Sequence, residues 1–234
     1  RRSDCTLRVS EKGSRCGTLT LRGCLAALQN GEEFRGEEMP FFIVQHDITK
    51  IPADVIVNAA NTDLLMGGGV CGAIFNAAGP EELQAACDKL APIETGEAVI
   101  TPGFNLPARF IIHTAGPIYQ PSEKERCEQQ LRAAYTNSLK RAVENDCVSV
   151  AFPLISSGIY GYPKEEALRV AITAIRDFLT ARDLTVFLVL FDASRFFIDG
   201  NPIESIEGYV DARSLDFHEL LSKKPREKGL GGVC

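Results

Sequence analysis

The sequence predicts an α/β fold: a three-layer α/β/α domain whose central sheet is mixed but largely parallel. Three observations lead there. From about residue 39 onward, short apolar runs alternate with stretches of helical periodicity, the pattern of strands crossed over by helices. The strongest runs are apolar throughout, as strands covered on both faces are. Two of them end in glycine-rich loops that lead directly into helix starts. A chain of 234 residues, 45% hydrophobic and 24% charged, suits one well-buried core and is short for two.

Residues 1–38 mix Arg, Gly, Ser and Cys with little periodicity, apart from a short helical pattern around Leu25–Leu28. Met39 stands directly before the first clean strand, so residues 1–38 are read as an irregular extension and 39–195 as the domain. Phe41–Gln45 is the first strand, and Asp54–Val57 the second, continuing into Asn58-Ala59-Ala60-Asn61. The cluster Gly67-Gly68-Gly69 precedes a small-residue helix over Cys71–Ala78. A second helix opens at Pro80-Glu81-Glu82, with Pro in the first turn and carboxylates where the helix dipole favours them. Ala98–Thr101 and Phe110–Thr114 read as strands. Across 124–144, Cys127, Leu131, Ala134, Tyr135, Leu139 and Ala142 recur at three- and four-residue spacing, one apolar helix face.

Val148–Ile155 is a buried strand running into Ser156-Ser157-Gly158-Ile159-Tyr160-Gly161-Tyr162, and Pro163-Lys164-Glu165-Glu166 opens the next helix. Its core stripe is Ala167, Leu168, Ala171, Ile172, Ile175 and Leu179. Val186–Phe191 is the last strong strand. Beyond it, residues 196–234 are expected to hold a helix over Ile203–Ala212 and a flexible Lys/Gly-rich tail.

Bulk chemistry excludes several classes. No apolar run is long enough to cross a bilayer, and no apolar segment of a secretory signal follows the basic N-terminus. A net charge of -6 argues against a protein that grips nucleic-acid phosphates, but a local phosphate site needs backbone amides more than net charge. The eight cysteines contain no C-x-x-C pair and no closely spaced His, so neither a metal site nor a disulfide framework is expected. A reducing, cytoplasmic setting and a monomer follow as expectations.

In an open α/β sheet, ligands sit beyond the carboxyl ends of the strands. The loops Asn58–Gly72 and Ser156–Tyr162 are both placed there. Glycines let backbone amides approach an anion, and a following helix N-terminus adds positive potential. Neither loop carries Lys or Arg, so two such loops side by side suit a diphosphate met by amides and dipoles. Gly67, Gly69 and Gly72 satisfy G-x-G-x-x-G, but Asn58–Met66 intervenes after the strand and no acidic residue is placed as a dinucleotide fold requires. A nicotinamide-dependent oxidoreductase is therefore a distant reading. No G-K-[ST] follows, which removes the nucleotide-triphosphate P-loop.

These residues resemble the macrodomain family, most closely its mono-ADP-ribosylhydrolase and O-acetyl-ADP-ribose deacetylase type. The stretches that carry the resemblance are Asp47-Ile48-Thr49, Val55-Ile56-Val57-Asn58-Ala59-Ala60-Asn61, Gly67-Gly68-Gly69-Val70, Leu106-Pro107-Ala108, Ile112-His113-Thr114-Ala115-Gly116-Pro117 and Phe152–Pro163. They run in family order over about residues 40–192. The resemblance implies that Asp47 accepts from the adenine amino group, with Ile48 beside the ring and Phe191 covering its other side. It implies that Asn61 binds the distal ribose, with Asn58 in the same ligand-binding set. Gly68, Gly69, Val70 and Cys71 would border the ribose and diphosphate, and Ser156, Ser157, Gly158, Ile159 and Tyr160 would wrap the diphosphate.

Asn61, Gly69 and Tyr160 are the implied catalytic-site residues, with the ligand's own phosphate positioning the attacking water and no metal or cofactor needed. The partners implied are ADP-ribose and mono-ADP-ribosylated proteins. The chain departs from the family at Cys71, where the hydrolases carry Asp, at Phe75, where His is frequent, and at Ser157, where Thr is common. The loss of that Asp keeps a second reading open, a non-catalytic module that reads ADP-ribose. Asp47 could alternatively cap a turn before Thr49, Asn61 could be a buried turn residue, and Phe191 could be core. His113 reads as a structurally satisfied histidine, and His46 has no assigned role.

Overall fold

The computed structural model describes residues 41–191 and, in backbone only, three short strands at 197–198, 201–202 and 209–211. All of these lie in one unit, Met39–Cys234. The expectations for residues 1–38 lie outside the described residues.

The strands are β1 (Phe41–Gln45), β2 (Val55–Ala60), β3 (Ala98–Pro102), β4 (Phe110–Ala115), β5 (Ser149–Pro153) and β6 (Thr185–Leu190), followed by the short β7 (Phe197–Ile198), β8 (Asn201–Pro202) and β9 (Tyr209–Asp211). The helices are α1 (Gly69–Ala78), α2 (Pro80–Cys87), α3 (Lys124–Glu144) and α4 (Lys164–Leu179), with 3-10 turns at Ile48–Lys50 and Pro121–Glu123. The main sheet has the order β3-β4-β2-β5-β6-β1-β9, and β7 pairs with β8 apart from it. Every pairing in the main sheet is parallel except β3 with β4. The mixed, largely parallel sheet is the one the sequence predicts.

Side-chain alternation along the strands divides the interior in two. Val55 and Val57 of β2, Ile112, Val150, Phe152, Val186 and Leu188 pack with Leu131, Tyr135 and Leu139 of α3 and Leu168, Ala171 and Ile175 of α4. The opposite parity, Ile56, Ile111 and Phe187, is equally buried, as are Ile74 and Phe75 of α1 and Leu83 of α2. Contacts of α1 with β2 and of α2 with β3 place those helices on that second face, completing three layers. Burying side chains of this size contributes roughly 1.5–3 kcal/mol each.

One expectation is corrected. Of the helix expected over Ile203–Ala212, residues 209–211 form a strand instead, paired in parallel with β1 from Ile43↔Tyr209 to Gln45↔Asp211, and the others lie outside the described residues. Without β9, β1 would be the sheet edge; a Tyr-Val pair has the β-branched and aromatic character that fits such a ladder, and pairing satisfies its backbone groups. The remainder of the expected tail lies outside the described residues.

Candidate binding groove and active site

Four parallel strands stand side by side as β2-β5-β6-β1, and their carboxyl ends open on one edge. Each leads directly into residues singled out from the sequence: His46–Ile48 after β1, Asn61–Cys71 after β2, Leu154–Tyr162 after β5 and Phe191 after β6. Between β2 and β5 the ladder consists of Val55↔Val150 and Ile56↔Ala151, although β2 runs on to Ala60 and β5 to Pro153. The two strands separate there, and the crevice between their ends is where both glycine-rich loops sit.

The first loop is shaped by Asn61. Its side-chain Nδ2 donates to the Leu65 carbonyl at 2.8 Å, and its Oδ1 accepts from the Leu65 amide at 3.0 Å. This reciprocal pair closes the turn in which Leu64 adopts φ 54°, a left-handed conformation that a branched side chain holds only at a cost. Met66 is tied outward through its amide to Gln84 Oε1 of α2, at 3.0 Å. The chain then reaches Gly68, the N-cap of α1, whose first-turn amides have no partner within the helix. A Cβ on Gly72 would lie 2.6 Å from the Gly67 carbonyl oxygen, so only glycine lets the loop fold against its own helix.

The second loop is held from below. Tyr135 of α3, fully buried, donates its hydroxyl to the Pro153 carbonyl at 3.3 Å and accepts from the Ile155 amide at 3.0 Å. Burial pushes that phenol far above its usual range, so the hydroxyl stays protonated as a donor. Ser156 follows with φ 62°, buried, its Oγ without a hydrogen-bond partner among the described residues. The Ser157 hydroxyl donates to the Leu154 carbonyl at 2.8 Å. Further anchors are Tyr162 N to the Ser156 carbonyl at 3.1 Å, Gly161 N to the Gly158 carbonyl at 3.0 Å, and Tyr119 N to the Tyr160 carbonyl at 2.9 Å. Among the described residues, nothing accepts from the amides of Ser156, Ser157, Gly158, Ile159 or Tyr160. Five consecutive amides without an acceptor among the described residues, in a loop that leads into the start of α4, form a site for oxyanions.

The two loops meet. A Cβ on Gly68 would lie 3.9 Å from Ile159 Cδ1, so this otherwise exposed isoleucine reaches across the crevice toward the first loop. Tyr160 is half-buried; burial first, then the neighbouring Cys71 and Asp63 side chains, raise its phenol above the usual range.

At the other end, Asp47 caps the turn Ile48–Lys50. Its Oδ1 accepts from the Thr49 amide at 3.0 Å and the Thr49 hydroxyl at 2.7 Å, and Lys50 Nζ lies 3.3 Å from Oδ2. Burial acts to raise this carboxyl, but the Thr49 and Lys50 hydrogen bonds outweigh it and hold the group below the usual carboxylate range. Ile48 is buried beside it. His46, half-buried, lies 2.9 Å through Nδ1 from the Asp47 carbonyl. Phe191 is 86% exposed just past the end of β6, which removes the core reading.

Two sequence-derived residues have buried side chains, and only Cys71, in the first turn of α1, keeps a backbone amide at the groove. Asn58 is fully buried within β2, so its side chain lines no open surface; as a direct ligand contact it is corrected to a residue beneath the loop. Cys71 is 5% exposed, its Sγ 3.6 Å from Asn58 Nδ2 and 4.0 Å from the Leu65 carbonyl. The sequence analysis gives Tyr135 as a core residue and gives Gly116 no role at the site; Gly116 is cramped by Ser156 and Ile155, which only the fold brings near it.

Residues 57–171 match the Macro domain family. The O-acetyl-ADP-ribose deacetylase of Escherichia fergusonii is 47% identical over 156 residues, covering 64% of this chain and 87% of that protein. The ADP-ribose glycohydrolase MACROD2 of Xenopus laevis is 47% identical over 155 residues, covering 66% of this chain; the chain spans only 36% of that longer protein. Among solved structures, a glycine-to-valine variant of the Oceanobacillus iheyensis macrodomain with ADP-ribose superposes with a TM-score of 0.60 at 46% identity, covering 64% of this chain and 84% of that one. Other solved variants of that protein replace an asparagine seven residues before this glycine and an aspartate three residues after it. Asn61, Gly68 and Cys71 have the same spacing. With a relative at this identity matched over most of its length, and with this sheet and these loops, the chain belongs to the Macro domain family.

Proposed function

We propose that the protein binds ADP-ribose along the four strand ends and hydrolyses ester-type mono-ADP-ribosyl linkages on proteins, or the ester of O-acetyl-ADP-ribose. The observation that carries this reading is the row of five unpaired amides, Ser156–Tyr160, opposite the N-terminus of α1. That arrangement offers a diphosphate fixed dipoles in place of cationic side chains. The relatives named for ADP-ribose chemistry and the ADP-ribose-bound neighbour support the same ligand.

In this reading the adenine lies at the β1 and β6 ends, where Ile48 forms the floor, Phe191 supplies an exposed aromatic face and Asp47 receives the amino group through lone pairs not used by Thr49. The diphosphate spans Gly68–Cys71 and Ser156–Tyr160. The distal ribose meets Asn61, Gly69 and Tyr160, where a water positioned by the ligand's own phosphate attacks the anomeric carbon; its bond to the linked ester oxygen breaks and the carboxylate leaves, the water's proton passing to solvent. Asn61 keeps one amide hydrogen and one lone pair beyond its Leu65 bonds to orient the sugar.

The second reading, an ADP-ribose-binding module without turnover, is favoured by one observation: Cys71 places a buried thiol where the aspartate of the Oceanobacillus protein stands in the matching spacing. No carboxylate then stands at that position to assist the water. A time course of ADP-ribose release from an acid-linked mono-ADP-ribosylated protein separates the two, run beside Asn61→Ala and Cys71→Asp. Release by the unmodified chain and its loss in Asn61→Ala support the hydrolase. Release only by Cys71→Asp supports the binding module.

A further inference from the structure

We propose that Thr101, His113 and Asn58 are positioning residues, a buried polar column that fixes the first loop and with it Asn61; the inference rests on the ADP-ribose reading of the groove only for its effect on ligands.

The column begins on β3. The Thr101 hydroxyl lies 2.9 Å from His113 Nε2 on β4, and His113 Nδ1 lies 3.1 Å from Asn58 Nδ2 on β2. Asn58 and His113 are direct partners in the parallel ladder. The second hydrogen of the Asn58 amide points to Cys71 Sγ at 3.6 Å, and that thiol faces the Leu65 carbonyl at 4.0 Å. Leu65 is bound at both backbone groups by the Asn61 side chain. The chain of contacts thus crosses three strands and the first turn of α1, and it ends on the residue at the distal-ribose position.

Its chemistry fixes the direction of every bond. An amide nitrogen only donates, so His113 Nδ1 accepts, and the ring proton sits on Nε2 and is given to Thr101. Burial keeps the ring neutral, with its pKa pushed down to about 4. Phe75 of α1 packs edge-on against the ring at 6.4 Å, and Cys87 of α2 lies 3.8 Å from Nε2, so the imidazole has no room to turn. Burial drives the Cys87 thiol up to about 12, leaving it a neutral neighbour.

The column is expensive. Thr101, His113 and Asn58 are all essentially solvent-free, and Asn58 Oδ1 has no hydrogen-bond partner among the described residues. A buried acceptor without a partner costs about 1–3 kcal/mol, and apolar residues of like shape would avoid that cost. Stability alone does not explain three polar side chains here. Their connection to Leu65 and Asn61 does.

The test uses Thr101→Val, which keeps shape and removes the hydroxyl, His113→Phe, which removes both ring nitrogens, and His113→Gln, whose amide restores an acceptor toward Asn58. Hydrogen exchange at the Leu65 amide is measured in ligand-free protein, so it reads the column whatever the ligand proves to be. Exchange there should quicken by about tenfold in Thr101→Val and His113→Phe, with β5 and β6 unchanged and recovery in His113→Gln. In parallel, the affinity for ADP-ribose should fall relative to that for ADP, which lacks the distal ribose. Unchanged exchange at Leu65, or equal acceleration throughout the sheet, would overturn the inference. If the parent chain binds neither nucleotide, the ADP-ribose reading fails and the exchange result still decides the column.

Discussion

Gly116 and Ser156 are in contact across the sheet edge. A methyl group on the Gly116 Cα would come within 2.2 Å of Ser156 Oγ and 2.5 Å of Ile155 Cγ2. The chain just past β4 therefore passes directly against the left-handed residue that starts the second loop. Gly116→Ala should shift the loop and destabilise the domain by about 1–3 kcal/mol. Denaturant melts and an ADP-ribose titration check it together: both stability and affinity should fall, and loss of neither would show that the loop is set elsewhere.

The two glycines of the first loop should behave oppositely. At Gly68 an added Cβ meets Ile159 Cδ1 at an ordinary 3.9 Å, whereas at Gly72 it meets the Gly67 carbonyl oxygen at 2.6 Å. Gly68→Ala should leave affinity within about threefold, and Gly72→Ala should lower it at least about tenfold. Calorimetry on the pair gives the comparison directly.

Tyr135→Phe removes the hydroxyl that serves both Pro153 and Ile155 and leaves a buried amide and carbonyl without it. The expected loss is about 1–3 kcal/mol of stability, with weaker ADP-ribose binding because the second loop loses its lower anchor. Thermal melts in the presence and absence of ADP-ribose should show a smaller ligand-induced shift than in the parent chain.

His113 predicts a pH dependence of stability. Its pKa is about 4 in the folded chain against an ordinary 6.5, so the unfolded chain takes up a proton more readily. The contribution is fully present above pH 6.5 and is lost as pH falls toward 4, about 2 kcal/mol between pH 7.5 and pH 5. Urea melts across that range should show this excess slope in the parent chain relative to His113→Gln; parallel curves would contradict it.

The order of strands and helices was legible because periodicity and end signals agreed. The 124–144 stripe became α3 with its two ends as read, and Val186–Phe191 became β6 displaced by one residue. The last strand was not: Tyr209–Asp211 is too short for a pattern, and its place beside β1 depends on an edge that exists only once the sheet has formed. In the site, the glycine loops were legible because their purpose is local. The Thr101–His113–Asn58 column was not, since its partners lie 12 and 55 residues apart and meet only through strand pairing. Asn58 belongs to the same motif as Asn61, but it lies within β2 on the face that α1 covers, which buries it. Phe191 was ambiguous between core and ligand face until the end of β6 left it exposed.

The central claim is that ADP-ribose lies across the four strand ends. Amide chemical shifts recorded on titration with ADP-ribose test it most directly. The account predicts saturable shifts concentrated at Gly68–Cys71, Ser156–Tyr160 and Phe191, with Asp47 and Ile48 joining them. Absence of binding, or shifts confined to other surfaces, would contradict it.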